Sequence, residues 1–80
     1  MKVLVLGASG MLGSAMVRVL SESGDLEVFG SIRSKKIKKF FNKSISNNLV
    51  ECKDVTDYDN LLNIFSNIKP NLVINCISLS

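Results

Sequence analysis

Lys2-Val3-Leu4-Val5-Leu6-Gly7-Ala8-Ser9-Gly10-Met11-Leu12-Gly13-Ser14 stands at the head of the chain, behind Met1, and decides how the rest is read. Val3-Leu4-Val5-Leu6 is a continuous apolar run ending at a glycine, the pattern of a parallel strand covered on both faces. From Leu12 the apolar residues fall at Leu12, Ala15, Met16, Val19 and Leu20, the spacing of one helix face. Gly24 is placed to end that helix with a left-handed cap. A glycine triplet alone is a weak signal; one that directly follows a strand and opens a helix is stronger. Gly7 permits the tight turn, Gly10 lets a pyrophosphate approach the backbone, and Gly13 lets the helix pack on the strand. Free N–H groups near Ser9 to Leu12, together with the helix dipole, then face the anion. A P-loop is excluded because no Gly-Lys-Ser/Thr follows.

Working outward, residues 26–29 form a second strand and Gly30 a turn out of it. In residues 34–46, Ile37, Phe40, Phe41 and Ile45 keep helical spacing with lysines between them, which predicts one short amphipathic helix. Residues 49–52 read as the third strand. Thr56 caps the next helix, and Asp57 and Asp59 complement its positive end. Leu61, Leu62, Phe65 and Ile68 form the apolar face of that helix, and Pro70 stops it. Leu72-Val73-Ile74 is the fourth strand. The order β-α-β-α-β-α-β implies an α/β fold with a parallel sheet and right-handed crossovers. The expected architecture is the N-terminal part of a Rossmann-type doubly wound sheet, strand order 3-2-1-4. A complete fold of this kind has about six strands. Residues 1–80 therefore read as one incomplete dinucleotide-binding domain, the first portion of a longer protein.

Composition narrows the alternatives. With 46% hydrophobic and 21% charged residues, the 80-residue chain is globular rather than disordered. Its net charge of +3 is uneven. Arg33, Lys35, Lys36, Lys38, Lys39 and Lys43 supply six of ten basic residues, and the remainder is net negative. Because these lysines alternate with apolar residues at helical spacing, they read as a solvated helix face, and nucleic acid is not an expected partner. Cys52 and Cys76 each sit in an apolar run, as buried free thiols in a reducing cytosol do. There is no histidine and no cysteine pair at ligand spacing, so no metal site is expected. Residues 3–17 are uncharged and imitate a secretory signal. The run divides, however, into a β-branched and a helix-periodic part at Gly7. No stretch reaches the ~20 apolar residues of a membrane span. A cytoplasmic protein without membrane contact is the expectation.

The Gly-x-x-Gly-x-x-Gly form, written GASGMLGS behind MKVLVL, resembles the extended short-chain dehydrogenase/reductase superfamily, the NAD-dependent epimerases and dehydratases. Within it the chain is most similar to the dTDP-4-dehydrorhamnose reductase branch. Residues 28–34, Asp54-Val55-Thr56-Asp57 and Lys69-Pro70-Asn71-Leu72-Val73-Ile74-Asn75-Cys76 agree in order and spacing, so the likeness spans nearly the whole chain. The resemblance implies that Asp54 accepts from the adenine amino group, with the Val55 backbone alongside. It also implies that Cys76, Ile77 and Ser78 border the cofactor's ribose, Ile77 standing where many relatives carry a small residue.

The residues themselves address which dinucleotide is held. NAD-binding versions place an acid about 20 residues beyond the loop for the ribose 2′-hydroxyl. None occurs in residues 28–41. Arg33 follows the second strand instead, with Ser31 and Ser34 beside it, and a guanidinium binds a 2′-phosphate bidentately. NADP(H) is therefore preferred, with NAD(H) as the other possibility. In the resembling enzymes hydride transfer uses a tyrosine acid and a lysine four residues later. The single tyrosine here is Tyr58, and position 62 is Leu62, so no catalytic residue is assigned. The resemblance implies an oxidoreductase reducing a 4-keto-deoxysugar nucleotide, bound through a C-terminal part. The alternatives are a nucleotide-sugar epimerase or dehydratase, or a non-catalytic NADP(H)-sensing protein. A homodimer of the intact protein is left open.

Overall fold

Residues 1–77 are described by a computed structural model. The apolar run at the N-terminus forms β1 (Lys2–Leu6), whose alternate side chains point to opposite faces. Val3, Val5 and Leu4 are all but inaccessible to solvent. Burying side chains of this size contributes about 2 kcal/mol each. β1 pairs in parallel with β2 (Glu27–Ile32) on one side and with β4 (Leu72–Asn75) on the other. β3 (Leu49–Glu51) lies beyond β2, giving the order β3-β2-β1-β4. The expected topology is the one observed.

Each sheet face carries its own core. Val3, Val5, Val28, Ile32 and Leu49 pack with Val17 of α1 (Met11–Ser21) and Ile45 of α2 (Lys43–Ser46). On the opposite face, Leu4, Leu6 and Cys52 pack with Ile64 and Ile68 of α3 (Tyr58–Ile68). Helices on both sides of a parallel sheet make the fold doubly wound. The uncharged N-terminal run is thus divided between β1, a turn and α1, and no helix among the described residues is long and apolar enough to cross a membrane.

Several local expectations are corrected. α1 is rotated relative to its apolar pattern. Gly13 and Val17 are buried and Met16 and Leu20 pack against the core, whereas Leu12, Ala15 and Val19 face outward. The cause is Gly13: a Cβ there would stand 2.0 Å from the Gly7 carbonyl oxygen. The closest approach of helix to loop is therefore set by a residue that a hydrophobicity pattern does not count. Gly24 forms no left-handed cap, since α1 closes at Glu22 in ordinary helical geometry. The left-handed cap is found at Lys69, φ 53°, whose N–H donates to the Phe65 carbonyl and ends α3.

Gly30 is not a turn, because β2 runs through it to Ile32. Its missing side chain makes room for Ala8 and Leu49, which a Cβ would approach to 2.8 and 2.9 Å. Residues 34–46 do not form one helix but a 3-10 helix, Lys35–Phe40, followed by α2. Asn42 interrupts them, its Oδ1 accepting from the Ile45 N–H at 2.9 Å. α3 is capped by Asp57 rather than Thr56, through an Oδ1 that accepts from the Asn60 N–H. Leu62 is exposed on that helix, and Ile64 takes the buried place expected of it.

Candidate functional site

In a parallel sheet all carboxyl ends of the strands lie along one edge. Every expected site residue among those described is there. The glycine loop follows β1, Arg33 follows β2, Asp54 and Val55 follow β3, and Cys76 and Ile77 follow β4. Ser78, also expected here, lies outside the described residues. The chain leaves β1 toward β2 by way of α1, while α3 carries it from β3 to the other side of β1. Ligands bind in the crevice where the strand order reverses in this way, here between the ends of β1 and β4.

The turn out of β1 is held from three directions. Gly7 adopts φ +81°, a left-handed conformation that costs glycine nothing. Its N–H donates to Ser31 Oγ at 3.0 Å, and the next N–H, that of Ala8, donates to the Ser31 carbonyl at 2.7 Å. A Cβ on Gly7 would lie 3.1 Å from the Cys76 carbonyl and the Ile77 Cα, so the end of β4 presses directly on the loop. Gly13 closes the third side. The Cys76 N–H meanwhile continues the β1–β4 ladder by donating to the Leu6 carbonyl at 2.8 Å.

This geometry leaves donors free. α1 begins at Gly10 with no side-chain cap and no acidic residue in its first turn. Among the described residues the N–H groups of Ser9, Met11, Leu12 and Gly13 have no acceptor. Unpaired N–H groups and the positive end of a helix dipole together favour an anion. Gly10 discriminates further. A Cβ there would meet only the Gly7 oxygen, at 3.7 Å, an ordinary contact. Among the described residues the packing thus requires glycine at positions 7 and 13 but not at Gly10, where the close approach of a pyrophosphate to the backbone would require it.

The adenosine-side residues are less uniform. Arg33 is exposed immediately past β2. Near it stands Glu51, in register with Ile32, whose Oε2 accepts from the Lys35 N–H at 3.0 Å. A carboxylate does therefore stand at this edge, supplied by β3 rather than by the window after β2. Asp54 is partly engaged: its Oδ1 accepts from the Thr56 N–H at 2.9 Å and from the Thr56 hydroxyl at 2.6 Å. These two bonds, the hydroxyl first, hold the Asp54 carboxyl below the usual carboxylate range. The Ile77 N–H is taken by Asn75 Oδ1 at 3.0 Å. Ser31 and Glu51 act on a turn and a strand end that only the fold brings near, whereas Asn75 closes a local turn onto Ile77, two residues on. Tyr58 is exposed in the first turn of α3.

Two surface depressions, of about 250 and 220 Å³, lie elsewhere. They are lined by Arg18, Ser21, Ser44, Ile45 and Asn48, by the last turn of α1 and the amino ends of the strands. Neither touches the glycine loop.

The model of the NAD dependent epimerase/dehydratase family matches residues 3–80. The chain belongs to that family. No match was found among curated proteins or among solved structures. Members of the NAD dependent epimerase/dehydratase family use a nicotinamide dinucleotide, and the described residues suit its pyrophosphate: free N–H groups, an uncapped helix start and a glycine at position 10 that the described packing does not itself require. The bound group supplies a hydride donor or acceptor. What this chain provides is a rigid turn at Gly7, donors for the anion, and strand ends on both sides of the crevice.

Proposed function

We propose that this chain is the NADP(H)-binding portion of a cytoplasmic sugar-nucleotide oxidoreductase, one that reduces a 4-keto-deoxysugar nucleotide as dTDP-4-dehydrorhamnose reductases do. The observation that carries the dinucleotide reading is the uncapped, acid-free start of α1 behind the left-handed turn at Gly7, with Gly10 left open. In this reading the pyrophosphate sits on the N–H groups of Ser9, Met11 and Leu12. Asp54 Oδ2 and the Val55 backbone meet the adenine, and Cys76, Ile77 and Ser78 border the ribose.

The preference for NADP(H) rests on Arg33, which is exposed at the β2 end with Lys35 and Lys36 next to it. A guanidinium on a 2′-phosphate makes charge-assisted bonds that a 2′-hydroxyl cannot match. Titration calorimetry of the chain with NADPH and NADH tests both parts. Binding of NADPH about tenfold tighter than NADH is expected, with the difference lost in Arg33→Ala. Heat from neither dinucleotide sinks the cofactor reading, and an Arg33→Ala variant with an unchanged affinity ratio sinks the NADP assignment alone. The sugar-nucleotide substrate is tested separately, by turnover of 4-keto sugar nucleotides with the intact protein. The absence of any NADPH oxidation on such ketones favours the epimerase, dehydratase or sensing readings.

A further inference from the structure

Ser31 is the one buried polar residue of the described core, 3% exposed, on a strand whose other buried residues are Val28, Gly30 and Ile32. A buried hydroxyl in an apolar strand costs stability unless it is bonded. This one is bonded to the phosphate loop. Its Oγ accepts from the Gly7 N–H at 3.0 Å and its carbonyl accepts from the Ala8 N–H at 2.7 Å, so a single residue of β2 receives two consecutive donors of the turn. The consequences run in both directions along the chain. Gly7 is the residue at φ +81°, and its carbonyl in turn accepts from the Gly10 N–H at 3.2 Å. Two residues beyond Ser31 stands Arg33.

We infer that Ser31 is a positioning residue for dinucleotide binding: its hydroxyl fixes the left-handed turn at Gly7 and thereby aims the free N–H groups of the loop at the pyrophosphate. The inference rests on the dinucleotide reading above and adds to it a residue that touches no part of the ligand. A valine or alanine at position 31 leaves the Gly7 N–H without its acceptor, and the turn then samples orientations in which the donors diverge. Threonine keeps the hydroxyl and restores the aim. Because the effect passes through the loop, it falls on ligands that carry a pyrophosphate and spares those that do not.

The test compares ADP-ribose, which has the pyrophosphate, with AMP, which has only the adenosine monophosphate end. Ser31→Ala and Ser31→Val should weaken ADP-ribose about tenfold, as loss of one well-placed hydrogen bond does. AMP should change less than about twofold, and Ser31→Thr should bind ADP-ribose as the native chain does. Ile64→Val, which loosens the opposite sheet face, provides the structural control and should leave both affinities unchanged. Equal weakening of ADP-ribose and AMP in Ser31→Ala, or no rescue by threonine, would overturn the inference in favour of a purely structural serine. Native-like ADP-ribose affinity in Ser31→Val overturns it outright. If neither substituted chain folds, amide exchange of the native chain decides: Gly7 should be well protected and Ser9 not, and equally fast exchange at both overturns the clamp. A native chain that binds no ADP-ribose at all sinks the dinucleotide reading itself, a different result from a binding chain indifferent to Ser31.

Discussion

The turn between β1 and α1 and the lysine-rich segment between β2 and β3 are both short connections at a strand end, yet they are specified in opposite ways. In the turn, two glycines have neighbours that any side chain would displace, Cys76 and Ile77 against Gly7 and the Gly7 carbonyl against Gly13, while the Ala8 N–H is tied to the Ser31 carbonyl. In residues 34–46 the apolar period was as good as that of a real helix, and the helix did not form. Lys35, Lys36, Lys38 and Lys39 carry like charges three and four residues apart, which gives an α-helix here no opposite-charge pair to stabilise it. Ser34 Oγ accepts from the Lys36 N–H and closes a tight 3-10 start, and Asn42 begins again with its own cap. Arg18 then fastens the break, its guanidinium donating to the Phe40 carbonyl at 3.0 Å and lying over the Phe41 ring at 4.3 Å. Steric necessity makes a local pattern dependable, whereas apolar period alone yields to capping and charge.

The comparison can be broken most forcefully at Gly13. Gly13→Ala places a Cβ 2.0 Å from the Gly7 oxygen, which only a shift of helix or loop relieves. A loss of about 3 kcal/mol in chemical denaturation is expected, with dinucleotide binding abolished. An alanine tolerated at full stability would show that the loop is not under the steric control described here.

Gly10→Ala sharpens the same contrast by separating stability from binding. Since its Cβ has room within the chain, the melting temperature should hold while NADPH affinity falls by at least about tenfold, measured by calorimetry. Undiminished affinity would remove the pyrophosphate from this position.

In the other region, Asn42→Ala removes a cap and should cost about 1 kcal/mol, read from denaturant midpoints, with NADPH affinity unchanged. A drop in affinity would mean that the lysine-rich segment takes part in the site after all.

The smallest effect concerns pH. Asp54 titrates lower folded than unfolded because Thr56 bonds its charged form, so its contribution is present above the unfolded value and fades as pH falls through the folded one. Thr56→Val, which removes the hydroxyl bond, should lower stability slightly at neutral pH and leave the acid end unchanged, so that the acid limb of the profile is flatter. An identical acid limb would show that the Thr56 bonds do not persist in solution.

The sequence by itself determined the alternation of strands and helices, the parallel order of the sheet, and the placing of the glycine loop between β1 and α1. These follow from continuous apolar runs and from glycines required by sterics, both local properties of the chain. Asp54 and Cys76 were likewise legible as strand-end residues. The rotation of α1 about Gly13, the passage of β2 through Gly30 and the outward position of Leu62 were decided only in three dimensions, because each depends on what a neighbouring element brings within 3 Å or leaves open. The site shows the same division. Ser31 and Glu51 come from strands that lie far from the glycine loop or from Arg33 in sequence, and only the β3-β2-β1-β4 order turns them into its neighbours.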